Sequence, residues 1–172
     1  MLVLVVGASG VGKDTLMEAA RRVLAEDKRF RFVRRTITRP ADAGGEDHDP
    51  VTEPEFDARD HDLEWQAHGL RYGIPAGIAE DLARGRIVVA NVSRGIISEA
   101  AERFPVRVIE VSAPPELLAA RLAARGREDS EGVAARLSRS VALPASVDAR
   151  RVVNDGSLAQ GIERFLAALT EP

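Results

Sequence analysis

Cysteine is absent from the 172 residues, which removes disulfides, thiolate metal sites and cysteine nucleophiles together and suits a reducing compartment. Lysine is nearly absent too. Of 24 cationic residues only Lys13 and Lys28 are lysines. A GC-rich genome would produce the same bias, but the remaining cations are planar forks suited to phosphate oxygens. Aromatic residues make up 4% of the chain, so few rings are available to stack a base. No apolar stretch approaches the ~20 residues of a membrane helix. The first apolar run, Leu2 to Val6, stops at Gly7 and lacks the basic leader and length of a signal peptide. A net charge of −3 provides no broad basic surface for nucleic acid. A soluble, cytoplasmic protein without membrane or nucleic-acid partners is expected.

What is present is an alternation. With 45% hydrophobic residues the chain is long enough for one domain that buries roughly two-thirds of its unfolded surface. Apolar, β-branched runs at 2–6, 31–33, 86–90, 106–111 and 151–153 alternate with helical patterns near 13–26, 75–84, 94–103, 114–125, 131–142 and 157–169. Strands and helices in alternation predict an α/β fold whose parallel sheet is covered on both faces. Two helix starts carry capping-box signatures, Ser157 with Gln160 and Thr52 with Glu55. Residues 36–74 and 126–132 do not alternate cleanly, and long irregular segments in a compact domain are often lids or binding loops.

The sharpest motif is GASGVGKDT, residues 7–15. It follows an apolar strand and opens a helical pattern, which is the context that marks a phosphate-binding loop. Gly7, Gly10 and Gly12 permit the backbone that turns successive N–H groups inward on an anion, and Ala8, Ser9 and Val11 complete the nest. Lys13 supplies a point charge for the β- and γ-phosphates of a nucleotide, at the positive end of the following helix. The usual Ser or Thr after the lysine is replaced by Asp14, with Thr15 one place later. Two readings of Asp14 stand: it binds Mg²⁺, directly or through water, or it faces a cationic side chain and leaves Thr15 to the phosphates. Both imply a small-molecule kinase loop, and the guanine motif N-K-x-D of switch GTPases is missing.

Downstream, Thr36, Thr38 and Arg39 lead into a Pro-Ala turn, and hydroxyls beside an arginine suit a phosphate monoester. Asn91, Ser93 and Arg94 fall at the carboxyl end of a predicted central strand, the edge where such sheets bind ligands, although Asn91 and Ser93 would also serve as helix caps. Trp65 reads as core rather than as a ligand platform. Arg121, Arg125, Arg127 and Arg136 flank a glycine-containing turn, the arrangement of a cationic lid or of a solvated helical face.

The order of P-loop, T-x-T-R-P, G-G-E-x-H, W-x-x-x-G-L-x-Y-G, R-L-x-x-R-G-R-E and N-D-G-S-L, spread from Leu2 to Leu169, resembles the guanylate-kinase-related family and, within it, the ribose 1,5-bisphosphokinases of bacterial phosphonate catabolism. Guanylate kinases carry a second arginine and a phosphate-binding tyrosine after the T-T-R turn, and a hydroxyl after Y-G. The segment ADAGGEDHDPVTEPEF has neither residue, and the hydroxyl position is Ile74. Glu64 does stand where the guanine-binding carboxylate would be. Losing several polar partners of a base costs a site roughly 10⁴-fold or more in discrimination, so GMP is disfavoured.

The resemblance implies a three-layer P-loop NTPase fold of nucleoside-monophosphate-kinase type. It forms one domain, 1–172, with core segments 1–35, 86–125 and 143–172, an acceptor-binding segment 36–85 and a lid at about 126–142. It implies ATP and Mg²⁺ as cofactors and ribose 1,5-bisphosphate as acceptor. Glu46, His48 and Tyr72 join Thr38, Arg39, Asn91, Ser93 and Arg94 on the acceptor side, Arg125 and Arg136 fall on the catalytic lid arginines, and Asn154 borders the adenine pocket. The predicted products are ADP and 5-phosphoribosyl 1-diphosphate. A guanylate or other nucleoside monophosphate kinase and an inactive binding module are the competing functions. The oligomeric state is open, a homodimer included.

Overall fold

All five residues of Leu2–Val6 are buried, the signature of a strand covered on both faces. The computed structural model describes residues 1–40, 47–124, 143–144 and 147–171. In chain order its elements are β1 (Leu2–Val6), α1 (Lys13–Val23), β2 (Phe30–Phe32), β3 (Thr36–Ile37), β4 (Asp49–Pro50), α2 (Glu53–Asp57), β5 (His61–Ala67), β6 (Leu70–Pro75), α3 (Ile78–Ala83), β7 (Ile87–Asn91), a 3₁₀ turn (Arg94–Ile96), α4 (Ile97–Arg103), β8 (Val106–Ser112), α5 (Pro115–Ala124), β9 (Asp148–Val153) and α6 (Leu158–Thr170).

The main sheet is all-parallel in the order β2-β7-β1-β8-β9. Because side chains alternate along a strand, β1 feeds two cores. Leu2, Leu4 and Val6 meet Val88, Ala90, Val108, Ile78 and Ile97 on one face. Val3 and Val5 meet Leu16 and Ala20 of α1, Leu118 of α5, and Phe165 and Leu169 of α6 on the other. Truncating a buried leucine such as Leu4 to alanine in cores of this kind costs about 3 kcal/mol. The chain leaves β1 toward one edge of the sheet and leaves β8 toward the other. That reversal puts the β1–α1 loop at the topological switch point, where such sheets bind ligands.

Residues 36–74, expected to be irregular, instead build most of a second sheet, ordered β4-β3-β6-β5. Its centre is an antiparallel hairpin of β5 and β6, turned by His68 and Gly69 with φ of 53° and 73°, the left-handed pair that a two-residue hairpin loop favours. The period-two signal Leu63, Trp65, Ala67 and Leu70, Tyr72, Ile74 is present in the sequence, but charged residues fill the other face and the strands are short. Leu63 and Ile74 pack into the same core as Leu2 and Leu4, which fastens this sheet to the main one. Asp81 of α3 adds a polar clamp, since its carboxylate is buried between Arg31 of β2 and Arg86, the latter at 2.9 Å.

Both capping boxes form. Ser157 accepts from Gln160 N–H and Thr52 from Glu55 N–H, with the reciprocal side-chain bonds present. The helix expected over 94–103 begins instead as a 3₁₀ turn. The one expected over 131–142 lies outside the described residues, as does the lid. Among the described residues, no helix is long and apolar enough to cross a membrane.

Candidate active site

The loop after β1 is shaped by two close approaches. Gly7 adopts φ 151° with the carbonyl oxygen of Val111 so near that a Cβ would collide with it. Gly12 adopts φ 96°, and a Cβ there would sit 2.6 Å from Asn154 Nδ2. Neither position accepts a side chain, so the glycines are demanded by strand β8 and by Asn154 as well as by backbone conformation. Gly12 is also the N-cap of α1 and supplies no side-chain cap, which leaves the first-turn amides to a ligand. The Lys13 ammonium donates to the Gly7 carbonyl at 2.9 Å and to the Ala8 carbonyl at 3.2 Å, which holds it over the mouth of the loop. Ser9, Asp14 and Thr15 are exposed, while Val11 is buried and anchors the loop in the core.

Asn154 braces the loop from behind. It is only 6% exposed, and its amide donates to the Val11 carbonyl at 2.8 Å. Arg121 of α5 reaches the same oxygen at 3.4 Å. Asn154 therefore lies beneath the loop, a position that its turn-like neighbours Asp155 and Gly156 did not disclose. Asp155 itself pairs with Arg164 at 2.7 Å.

The carboxylate at position 14 meets an amide. Asn91, at the end of β7, donates from Nδ2 to Asp14 Oδ1 at 3.0 Å. Ser93 is the N-cap of the 3₁₀ turn but makes no capping bond with its side chain, so neither residue acts as the helix cap that the sequence also allowed. Among the described residues, no cluster of three or more acidic or histidine side chains forms a metal cage. A site with one carboxylate and the phosphates of a bound nucleotide is nonetheless what Mg²⁺ ordinarily takes, because it keeps much of its water. Asp14 fits that role, with Thr15 next to it on the exposed side of the loop.

On the acceptor side, Arg39 donates from Nη2 to His48 Nδ1 at 3.2 Å, and His48 Nε2 lies 3.1 Å from the Arg39 carbonyl. A guanidinium can only donate and a carbonyl can only accept. In these two contacts Nδ1 therefore accepts and Nε2 donates, and His48 locks the chain segment that carries Arg39. The Thr38 hydroxyl accepts the Arg71 N–H at 2.9 Å, so it is engaged in holding β3 against β6. Tyr72 is buried and stacks on Trp65 with centroids 5.4 Å apart. Trp65 is thus half core and half wall, since one side packs into the cluster around Leu63. Arg94 pairs with Glu110 of β8, which Arg151 also approaches at 3.4 Å.

Glu64 sits in cross-strand register with Gly73, whereas Trp65 pairs with Tyr72, and neighbouring rows point to opposite faces of a sheet. The Glu64 carboxylate contacts His61 at 3.1 Å and Arg71 at 3.7 Å. Its charge is spent on that face, away from Tyr72. Ile74, where a guanylate kinase would offer a hydroxyl, is wholly buried in the core. Glu46, Arg125 and Arg136 lie outside the described residues. Arg35, next to the T-x-T-R turn, was not singled out from the sequence, yet its guanidinium lies over the rings of both Trp65 and Tyr72. The doublet of arginines before Thr36 was the available signal.

A five-stranded parallel sheet with a glycine loop at its switch point and a second sheet beside it defines a P-loop kinase. A guanylate kinase from Anaplasma phagocytophilum superposes with a TM-score of 0.67, covering 98% of this chain and 83% of that one at 19% identity. A gluconokinase from Sinorhizobium meliloti gives 0.57 over 97% and 90% at 20% identity. These likenesses show the fold.

No family model matches the chain. Curated relatives are more specific. The ribose 1,5-bisphosphate phosphokinase PhnN of Acidiphilium cryptum is 55% identical over 86% of this chain and 81% of its own length, and that of Brucella melitensis is 46% identical over 98% and 91%. A bifunctional ribose 1,5-bisphosphokinase-thymidine phosphorylase of Azorhizobium caulinodans is 49% identical over 96% of this chain, which spans 25% of that longer protein. The chain belongs to the ribose 1,5-bisphosphate phosphokinase family.

Proposed function

We infer that this chain transfers the γ-phosphoryl group of ATP to the 1-phosphate of ribose 1,5-bisphosphate, giving 5-phosphoribosyl 1-diphosphate and ADP in phosphonate catabolism. The observation that carries the inference is identity of 44–55% to phosphokinases of that name over most of the chain, joined to an intact loop and lysine. In the transfer, an oxygen of the 1-phosphate bonds to the γ-phosphorus as the bond from that phosphorus to the β,γ-bridging oxygen breaks, and ADP departs with the electron pair. Mg²⁺, when bound, would neutralise charge on the β- and γ-oxygens.

The chain's own part is alignment and charge. Loop residues 7–13 and Thr15 would bind the donor's phosphates, with Lys13 placed to offset their charge. Asp14, aimed by Asn91, would hold the metal, and Asn154 would act through the loop it braces. Arg39, steadied by His48, is assigned to the acceptor together with Tyr72, Ser93, Arg94, Thr38 and Glu46. Arg125 and Arg136 are assigned to the closing lid, where they would exclude water and stabilise the moving phosphoryl group.

The acceptor oxygen is already ionised at neutral pH, so no general base is needed. The two carboxylates that a sugar kinase could use as base are engaged elsewhere: Asp47 pairs with Arg34 at 2.9 Å, and Asp49 is bound to Arg59. A cytoplasmic enzyme acting on a small molecule is proposed, with homodimer formation left to measurement. The test is ADP release by the purified chain with MgATP and ribose 1,5-bisphosphate, GMP, gluconate or no acceptor. Release dependent on ribose 1,5-bisphosphate is expected, and release with GMP alone would refute the assignment.

A further inference from the structure

The carboxyl edge of β8 carries a charge that packing there does not ask for. Glu110 is in register with Val6, the residue that leads into the loop, and shares its face with Val108. That face is the one on which Leu63 and Ile74 of the second sheet pack. The Glu110 side chain is 18% exposed and pairs at 2.5 Å with Nη2 of Arg94, itself 23% exposed. Arg94 opens the 3₁₀ turn after β7, and the chain is pinned on both sides of it. Before it, the Val92 N–H donates to the Val5 carbonyl at 3.1 Å, and after it Ile96 is buried in the cluster that holds Leu63. The pair therefore sits at the ligand edge of the main sheet, on the side of the second sheet. Arg151, in register with Glu110, approaches the other carboxylate oxygen at 3.4 Å but is exposed, so Arg94 is the closer and better sheltered partner.

A partly buried ion pair adds little to stability, and apolar residues of similar size often replace one without loss. A carboxylate at the edge where two polyanions are brought together also opposes their binding. What offsets that cost is its grip on Arg94. A free arginine side chain samples many rotamers, and a partner on Nη2 restricts the fork to few of them. We propose that Glu110 is a positioning residue, which aims the Arg94 guanidinium at the acceptor's phosphate without touching the acceptor itself. The proposal rests on the kinase reading above, which assigns Arg94 to the acceptor, and deepens it by naming what holds that arginine in place. Its signature is a sign. Charge alone predicts that removing a carboxylate tightens the binding of an anion, whereas loss of a positioning partner weakens it.

Titration calorimetry of the full chain with ribose 1,5-bisphosphate and, separately, with ADP tests the proposal. Glu110→Ala should weaken the bisphosphate about 5- to 30-fold and leave ADP within about twofold of wild type. In an Arg94→Met background the same change should move bisphosphate affinity by no more than about twofold, because the group it positions is gone. Glu110→Gln keeps an acceptor oxygen for Nη2 and drops the charge. It should fall between alanine and wild type, and it carries the comparison should the alanine variant not fold. Tighter or unchanged bisphosphate binding in the Glu110 variants would overturn the positioning role. So would equal weakening of ADP and the bisphosphate, or a Glu110 effect undiminished without Arg94. Coupling between positions 94 and 110 in bisphosphate binding, without ADP release from MgATP, would refute the kinase reading and leave the positioning role standing.

Discussion

Asn91 holds Asp14 by an amide-to-carboxylate hydrogen bond of 3.0 Å that joins the end of β7 to the first turn of α1. In the general P-loop pattern a hydroxyl follows the lysine. Here the carboxylate is on the loop and the neutral partner on the strand. A neutral amide donates to the Asp14 carboxylate, where a second carboxylate would repel it.

Asn91→Asp is therefore expected to place two carboxylates about 3 Å apart and to cost about 1–2 kcal/mol of stability in chelator. Millimolar Mg²⁺ should restore more of the melting temperature in this variant than in the wild type. Equal responses to Mg²⁺ would remove the metal from Asp14. Asp14→Ser should in turn raise the Mg²⁺ concentration needed for half-maximal turnover.

Lys13→Ala should abolish turnover while changing unfolding free energy by no more than about 1 kcal/mol, the worth of ordinary hydrogen bonds to the Gly7 and Ala8 carbonyls. Chemical denaturation alongside an ADP assay checks both halves. A large loss of stability would mean that the lysine is there for folding.

Asn154→Ala removes the buried donor of the Val11 carbonyl and leaves Arg121 as a long and partial substitute. A cost of about 1–3 kcal/mol in urea unfolding is expected, together with a raised KM for ATP and a smaller change in KM for the acceptor. An equal rise in both would show that Asn154 supports the whole domain rather than the loop.

The strands of the main sheet were legible because each carries a short apolar stretch rich in β-branched or aromatic residues, unbroken in β1 and punctuated by charged residues in β2, β8 and β9, and both capping boxes because two residues at fixed spacing specify each. The loop was legible because its glycines and lysine stand at fixed spacing between an apolar strand and a helical pattern. The second sheet was not, since β3 and β4 contribute two residues each and the short alternating runs of β5 and β6 sit in a segment otherwise rich in Gly, Asp, His and Pro. Asn154, Asn91 and Arg35 gained their particular roles from contacts far away in sequence. An asparagine beneath a loop 143 positions earlier, or an arginine stacked on rings beyond a turn, leaves no local pattern.

The Asp81 clamp gives the fold an acid sensitivity of known sign. Burial disfavours the charged carboxylate, but hydrogen bonds and charges from Arg31 and Arg86 prevail, so its pKa lies below the ordinary 3.8. A group whose pKa falls on folding contributes stability that is complete well above its unfolded value and is lost as pH drops through the folded one. Asp81→Asn should destabilise the chain by about 2 kcal/mol at pH 7, and the gap from wild type should narrow below the ordinary value of 3.8. Urea melts across pH 3 to 7 measure it, and a gap that widened toward acid would reverse the assignment.

The most direct test of the central claim is phosphorus NMR of the products formed by the purified chain from MgATP and ribose 1,5-bisphosphate. The account predicts that the anomeric monophosphate resonance gives way to a coupled pair of diphosphate resonances while the 5-phosphate signal persists and ADP accumulates in equal amount. Phosphate appearing on a sugar hydroxyl, or ADP accumulating with the anomeric signal unchanged, would contradict it.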